Sequence, residues 1–323
     1  MPIDKKPGPA ADRPAGHPAP ADRSGDPVCP PGVCEILAPQ RQTMAAVFAS
    51  PHSGDVYPAD FIAAARLDAR SLRKSEDSFM DRLFGAAPEL GAPLLRALFP
   101  RAYIDPNREP FELDPEMFED ALPAYVNTQT PRVAGGLGTI ARVVANGEEI
   151  YQRKLRFAEA VRRVDTLYHP YHDNLRHLIG RTRENFGHCL LVDCHSMPSI
   201  GGPMDQDAGL RRVDIVLGDC FGTSCAPAIT AVTEEVMRDL GYRVTRNMPY
   251  SGGFTTMHYG QPSSGVHALQ IEINRAIYME EDRFQPTARF TSLREHIGVL
   301  IAALKAALPK LLADHPSDRR AAE

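Results

Sequence analysis

Several features that would assign this chain to a broad class are missing from its sequence. It has no tryptophan, and no run of about 18 apolar residues that could form a transmembrane helix. No apolar core of a signal peptide is present near its start, so we expect a cytoplasmic protein. The formal net charge is -5, and there is no cluster of Lys and Arg of the kind that binds nucleic acid. We therefore expect neither a membrane nor a nucleic acid as a partner.

Cysteine is also sparse, with six residues in a chain of 323. Cys189 and Cys194 lie in or just after an apolar segment, which favours reduced thiols in a core over a disulfide framework. Cys29 and Cys34 are separated by four residues, and we assign no zinc knuckle to them. The cysteines therefore carry no predicted function.

The distribution of proline predicts where the folded part begins. The first 31 residues contain nine prolines and almost no large apolar side chain, so they cannot bury enough surface to offset the entropy lost on ordering. We predict a disordered tail over residues 1–40, a single α/β domain over residues 41–314, and a second disordered tail over residues 315–323.

Apolar segments that end at polar loops organise the rest of the chain. The central one, in the sequence GHCLLVDCHSMPS, predicts a buried strand followed directly by Asp193 and His195. Residues 44–49 form a similar segment that ends at His52. Carboxyl ends of strands in open parallel sheets are where ligands gather, although either histidine is also compatible with an ordinary turn. Further strands are predicted at residues 213–217, 242–245 and 266–273, and helices at residues 58–70, 149–178, 227–240 and 292–312.

The polar residues at these strand ends have the composition of a catalytic zinc site. Such a site uses two or three nitrogen or oxygen ligands from the protein, and His52, His195 and a nearby carboxylate, Asp55, supply that number. Glu272 follows an isoleucine near the end of the last predicted strand, where it is placed to move a proton. Alternatively, the strand's alternation turns Glu272 toward solvent.

Two prolines bracket Asn107 and Arg108 and make that segment stiff and extended, which suits residues that must be aimed at a ligand. An arginine there can grip a substrate carboxylate through paired hydrogen bonds. Arg275, three residues after Glu272, is a candidate for a second substrate contact or for an ion pair with a carboxylate. The glycine-containing loop at residues 249–260 adds His258 as a further candidate for substrate binding.

Two other patterns have a structural and a functional interpretation. The glycines at residues 135–138 precede an apolar run, but their spacing matches no nucleotide-binding motif, and a sharp bend or close backbone approach explains them more simply. His169, His172 and His177 cluster in a helical stretch that Pro170 interrupts. We interpret these histidines as surface residues or as supports behind the site.

A set of short motifs resembles the N-formylglutamate amidohydrolases. They are PHSG, IDPNRE, DCHSMPS, SCAP, HYG and LQIEINR, and they occur in this order over roughly residues 43–285. That family is related to the zinc carboxypeptidases and to the aspartoacylase and succinylglutamate desuccinylase deacylases. The resemblance implies a three-layer αβα fold of the phosphorylase/hydrolase type with a mostly parallel sheet. It also implies one Zn²⁺ ion per chain and hydrolysis of an N-acyl amino acid, N-formylglutamate being the family's named substrate.

The resemblance also implies a role for individual residues. Matched motif by motif, it makes two histidines metal ligands, a glutamate the general base, an Asn-Arg pair the holder of the substrate carboxylate and a second arginine the group that polarises the carbonyl: His52, His195, Glu272, Asn107, Arg108 and Arg101. The related carboxypeptidases have a glutamate three residues after the first histidine, where this chain has Asp55. Asp77 is kept as a rival ligand.

The sequence therefore favours a zinc-dependent amidohydrolase that converts N-formyl-L-glutamate to formate and L-glutamate. A deacylase for another N-acyl amino acid and a carboxypeptidase-like peptidase are the alternatives within the same chemistry. A metal-free binding protein for acidic ligands is the alternative from another class. The sequence predicts neither the acyl group nor the oligomeric state.

Overall fold

The computed structural model describes residues 29–144, 146–203 and 205–312. Residues 1–28 and 315–323, which belong to the predicted disordered tails, lie outside the described residues. Residues 29–40 were also assigned to a tail, but they are described, and Cys34–Leu37 form a strand (β1). This strand pairs with a later segment, and pairing between distant parts of a chain is not visible in local composition. The domain limits at residues 41 and 314 stay a prediction.

The main sheet has seven strands. After β1 they are β2 (Ala46–Ser50), β3 (Leu94–Ala97), β4 (Cys189–Met197), β5 (Ile215–Gly218), β6 (Val244–Arg246) and β7 (Val266–Asn274). Their order across the sheet is β1-β3-β2-β4-β7-β5-β6, and only the β1/β3 and β7/β5 neighbours are antiparallel. The prediction of a mostly parallel sheet is confirmed. A separate hairpin follows, β8 (Met279–Glu280) and β9 (Gln285–Pro286).

Helices cover both faces of the sheet. In the described residues they are α1 (Ala59–Ala64), α2 (Ala69–Leu72), α3 (Met80–Leu83), α4 (Pro131–Ala134), α5 (Phe157–Arg163), α6 (His169–Phe186), α7 (Pro227–Asp239), α8 (Phe254–Tyr259) and α9 (Arg289–Leu312). The predicted helix at residues 58–70 is split in two, and the one at residues 149–178 begins only at Phe157. No helix among these has the length and apolar character needed to cross a membrane.

Side chains that alternate along the buried strands produce two apolar cores, one on each face of the sheet. In β2, Val47 and Ala49 belong to one apolar cluster, which also contains residues of α5 and α6. Ala46 and Phe48 belong to the other, together with residues of α3, α7 and α9. Because successive strand side chains point to opposite faces, each face needs its own helical cover. The predicted three-layer αβα fold is confirmed.

One expectation about cysteine was wrong. Cys29 and Cys34 form a disulfide, with Cα atoms 5.3 Å apart, inside the range that such a bond requires. The turn that leads into β1 brings the two residues together. The other four cysteines are free.

The arrangement of three neighbouring strands positions the polar residues. β2, β4 and β7 are adjacent and parallel, so their carboxyl ends lie at one edge of the sheet. The register pairs His195 with Glu272. β4 continues to Met197 because β7 pairs with it along its whole length, so His195 lies within the strand and not in the loop after it.

Candidate metal and substrate site

His52, Asp77 and His195 meet at this edge of the sheet. All three are buried, and one ligand atom from each lies within 4.8 Å of the others, so that the group could hold a metal ion. Oδ2 of Asp77 is 3.2 Å from Nδ1 of His52 and 3.0 Å from Nδ1 of His195. The two histidines therefore present the same ring nitrogen toward a shared carboxylate.

The structure brings Asp77 to the histidines and does not bring Asp55. After His52 the chain turns away along the end of β3, where the N–H of Val56 donates to the carbonyl of Leu98 at 3.0 Å. Asp55 is exposed and lies outside the cluster. Asp77 returns to the site because its own N–H donates to the carbonyl of His52 at 3.0 Å.

The outer nitrogen of each histidine lies close to another aspartate. Nε2 of His52 is 2.7 Å from Oδ1 of Asp105, and Nε2 of His195 is 2.9 Å from Oδ1 of Asp193. Carboxylates in this position fix the tautomer and orientation of metal-binding histidines. Two imidazole nitrogens and a carboxylate oxygen, supported in this way, fit a zinc ion with one position left for other ligands.

The electrostatics of the cluster favour a cation. Burial alone raises the pKa of Asp77, but hydrogen bonds from His195 and His52 outweigh it and hold the pKa well below the usual value. Burial also opposes ionisation of Asp105, and the charges of Arg101 and His52 reverse that effect. Burial would lower the pKa of His195, yet Asp193 beside it raises the pKa well above normal. The histidines thus lie among buried carboxylates that are kept ionised.

Arg275 and Arg101 contact these carboxylates. Arg275 donates from Nη2 to Oδ1 of Asp77 at 3.0 Å and from Nε to Oγ of Ser196 at 3.1 Å. Of the two roles predicted for Arg275, the ion pair is the one that the structure contains. Arg101 donates from Nη2 to Oδ2 of Asp105 at 2.7 Å, and its Nη1 is 3.9 Å from Asp77.

Glu272 faces the same cavity with one oxygen free. The cavity has a volume of about 350 Å³, and its lining includes His52, His195 and Glu272. Oε1 of Glu272 accepts a hydrogen bond from Nε2 of Gln270 at 2.8 Å, whereas Oε2 is buried and has no hydrogen-bond partner among the described residues. Burial raises the pKa of Glu272 to about 7. A carboxyl group of this kind suits proton transfer near neutral pH.

Asn107 and Arg108 also line the cavity, but much of their hydrogen-bonding capacity is already used. Oδ1 of Asn107 accepts from the N–H of Thr255 at 2.8 Å, and its amide nitrogen is 3.2 Å from Nε2 of His195. Arg108 donates from Nε to the carbonyl of Leu137 at 3.0 Å and from Nη1 to the carbonyl of Asn107 at 2.7 Å. Its Nη2 makes no hydrogen bond within the described residues and lies 3.8 Å from Oδ2 of Asp105.

His258 is not among the residues that line the cavity. It lies on α8 and stacks against Phe254, with ring centroids 4.8 Å apart. The helix therefore directs this candidate away from the site. His172, interpreted from the sequence as a surface residue or a support, is buried, and its Nε2 lies 2.8 Å from the carbonyl of Pro106.

Four residues of the site were not identified from the sequence. Asp105, Asp193 and Gln270 lie inside the quoted motifs, so their positions were known, but which atoms they hold is a property of the folded chain. Arg132 belongs to no motif and lines the cavity next to Arg108. Their position inside a motif, close to a residue with a predicted role, is the sequence signal that could have identified the first three.

Comparisons with known proteins point to one family. The family model of N-formylglutamate amidohydrolase matches residues 44–279. An N-formylglutamate deformylase from Pseudomonas aeruginosa PAO1 is 31% identical over 273 residues, which are 84% of this chain and 94% of that protein. One from Pseudomonas putida is 32% identical over 249 residues, 76% of this chain and 84% of its own length.

A solved structure leads to the same assignment. The crystal structure of N-formylglutamate amidohydrolase from Ralstonia eutropha JMP134 is 33% identical and superimposes with a TM-score of 0.77, covering 87% of this chain and 99% of that one. The family model spans well over half of the sequence, and all six motifs fall within it. The chain therefore belongs to the N-formylglutamate amidohydrolase family.

Proposed function

We propose that this protein hydrolyses the amide bond of N-formyl-L-glutamate, giving formate and L-glutamate, with one Zn²⁺ ion per chain. The observation that carries the proposal is the buried group of His52, Asp77 and His195 beside a carboxylate, Glu272, that has one unpartnered oxygen. The names of the similar Pseudomonas proteins support the substrate.

His52, Asp77 and His195 are the proposed ligands. Asp105 and Asp193 orient the two imidazoles, and Arg275 holds the second oxygen of Asp77. A zinc ion held there supplies Lewis-acid polarisation of the formyl carbonyl and of the attacking water. The rest of the chemistry belongs to side chains.

Glu272 is the proposed general base. Its free Oε2 takes a proton from water as the water oxygen attacks the formyl carbon. The C–N bond then breaks, and the same carboxyl group returns the proton to the departing amine nitrogen. Gln270 keeps Oε1 hydrogen-bonded throughout, so one oxygen of Glu272 stays fixed while the other exchanges the proton.

Arginines bind the substrate in this proposal. Arg108 contributes Nη2 to the α-carboxylate, with its other nitrogens anchored to backbone carbonyls. Arg101 stabilises negative charge that develops on the carbonyl oxygen, as preorganised donors do in other hydrolytic sites. Asn107 accepts a hydrogen bond from the N–H of Thr255 on α8, which holds its side chain beside His195 and helps to keep the cavity in shape.

A substrate panel tests the reaction. N-formyl-, N-acetyl- and N-succinyl-L-glutamate are incubated with purified enzyme, and release of the free amine is measured. The proposal predicts turnover of the formyl compound in preference to the others. Failure to release glutamate from N-formylglutamate, with metal present, would contradict it.

A pair of aspartate variants tests the ligand set. Asp77→Asn keeps the side-chain shape but removes a charged ligand, so metal content should fall well below one ion per chain and activity should be lost. Asp55→Asn is the matched control, since Asp55 is exposed, and it should keep both. Elemental analysis of the purified proteins gives the answer. Full occupancy in the Asp77 variant, or metal loss in the Asp55 variant, would refute the assignment.

A further inference from the structure

Of the arginines that line the cavity, three have acidic partners. Arg275 and Arg101 hydrogen-bond to Asp77 and Asp105, and Nη2 of Arg108 is 3.8 Å from Oδ2 of Asp105. These charges compensate carboxylates of the protein itself. They leave little positive charge in surplus for a substrate that carries more than one carboxylate.

Arg132 is different. It lines the same cavity, is exposed, and has no acidic side chain within 4 Å of its guanidinium among the residues that the structure describes. Glu112 lies nearby, but its carboxylate accepts a hydrogen bond from Thr130 and forms no ion pair with Arg132. Arg132 therefore adds to the cavity lining a positive charge that has no ion-pair partner in the described part of the chain.

The backbone places Arg132 beside Arg108 through a single residue. The N–H of Leu137 donates to the carbonyl of Arg132 at 2.8 Å, and the carbonyl of Leu137 accepts from Nε of Arg108 at 3.0 Å. Gly138 lets this loop approach the chain closely, because a Cβ there would lie 2.3 Å from the carbonyl oxygen of Glu112. Leu137 thus links the backbone at Arg132 to the side chain of Arg108.

Like charges held next to each other disfavour one another unless an anion lies between them. Burial lowers the pKa of Arg108 to about 10; the charge of Asp105 opposes this effect, and the charges of Arg132 and Arg101 add to it. A dicarboxylate can place one carboxylate at each arginine. A monocarboxylate that binds Arg108 leaves Arg132 without an anionic partner.

We infer that Arg132 binds the second, side-chain carboxylate of the substrate and determines the preference for a dicarboxylic amino acid. The inference rests on the proposed function, since it assigns part of the same pocket. Arg108 then holds the α-carboxylate, and Arg132 distinguishes glutamate from neutral side chains of the same size.

The test compares N-formyl-L-glutamate with N-formyl-L-glutamine, which differ in one charge. The kcat and KM values are measured for the wild type, Arg132→Gln, Arg132→Lys and Arg294→Gln. Arg294 is exposed on α9, is not part of the cavity lining, and provides the same chemical change elsewhere. Arg132→Gln should lower kcat/KM for the glutamate substrate about tenfold, mainly through KM, which corresponds to about 1.4 kcal/mol.

The same variant should leave kcat/KM for the glutamine substrate within about twofold. Arg132→Lys should retain part of the preference because it keeps the charge, and Arg294→Gln should retain all of it. Equal losses on both substrates, or no loss on either, would overturn the inference.

If the wild type hydrolyses neither compound, that result refutes the proposed function, and the role of Arg132 is tested by binding instead. Binding of the two compounds is then measured by isothermal titration calorimetry. Arg132→Gln must weaken binding of N-formyl-L-glutamate alone, and an equal effect on both ligands, or none, would overturn the assignment of Arg132.

Discussion

At the scale of single residues, the surroundings of Glu272 determine its pKa and leave one of its oxygens free. Glu272 lies in a strand that is buried along its whole length, opposite His195 in the sheet register. Burial disfavours its charged form, and Gln270 satisfies only one of its oxygens. A carboxyl group with a raised pKa and a free oxygen can both accept and return a proton near neutral pH, which an exposed glutamate does poorly.

The pH dependence of kcat/KM follows from this position. A base must be ionised, so activity should rise with pH through the pKa of Glu272, which is about 7 in this structure. A bound cation nearby favours the ionised form, so the midpoint should lie at or below about pH 7. Glu272→Gln should abolish this rise of kcat/KM with pH and lower kcat by about 10² or more, while the metal content is unchanged.

Glu280→Gln is the matched control, because Glu280 is an exposed residue of β8 paired with Arg283. Glu280→Gln should show the same dependence of kcat/KM on pH as the wild type. A Glu272→Gln enzyme with near-normal kcat, or a wild-type rate that rises as the pH falls through 7, would remove Glu272 from the role of base.

At the scale of elements, α6 holds a segment of the site in place through His172. Nε2–H of His172 donates to the carbonyl of Pro106, and Nδ1 accepts from the hydroxyl of Tyr259, both at 2.8 Å. These partners match a neutral imidazole. Since Pro106 precedes Asn107, the helix supports the residues that line the cavity without touching the substrate.

This contact should make stability depend on pH. Burial lowers the pKa of His172 to about 3, below the value of about 6.5 in an unfolded chain. As the pH falls below about 6.5, His172 takes up a proton in the unfolded state but not in the folded state. Its contribution to the free energy of unfolding is therefore full above that pH and is lost progressively down to about pH 3. His172→Gln should flatten this slope, which is at most about 1.4 kcal/mol per pH unit.

Urea unfolding of the wild type and variant at pH 7.5, 5.5 and 4.5 provides the measurement. His177→Gln is the control on the same helix, because none of the hydrogen bonds to residues 105–108 comes from it. A slope that is equally steep in wild type and His172→Gln would show that this histidine does not titrate as expected.

At the scale of the whole molecule, the candidate ligands come from parts of the chain that only folding brings together. His52 follows β2, Asp77 precedes α3, and His195 lies in β4. An unfolded chain does not present this set, so a metal that binds it stabilises the folded state. At a hundredfold excess over Kd the gain is about 2.7 kcal/mol.

Removal of metal with a chelator should therefore lower Tm by roughly 5 °C or more, and added zinc should restore it. Asp77→Asn should not respond to zinc, whereas Asp55→Asn should respond like the wild type. Differential scanning calorimetry measures the Tm of the three proteins after chelation and again after zinc is added. A zinc response of Asp77→Asn equal to that of the wild type would mean that the stabilising ion binds elsewhere.

The sequence alone determined the central strands and the residues at their ends. Apolar segments before His52, before His195 and around Glu272 are local patterns, and burial in a sheet follows from them directly. The six motifs, taken together, were likewise sufficient to predict the family and the three-layer fold.

Tertiary structure decided which side chains meet. Local spacing favoured Asp55, but the chain after His52 follows β3, and a residue 25 positions later, Asp77, takes the place beside both histidines. Strands β1 and β3, which are neighbours at one side of the sheet, have four residues each and carry no pattern of their own, because they are defined by pairing. Arg132 was invisible for the same physical reason: which charges remain without a partner depends on every neighbour in the folded molecule, and a linear sequence does not specify neighbours.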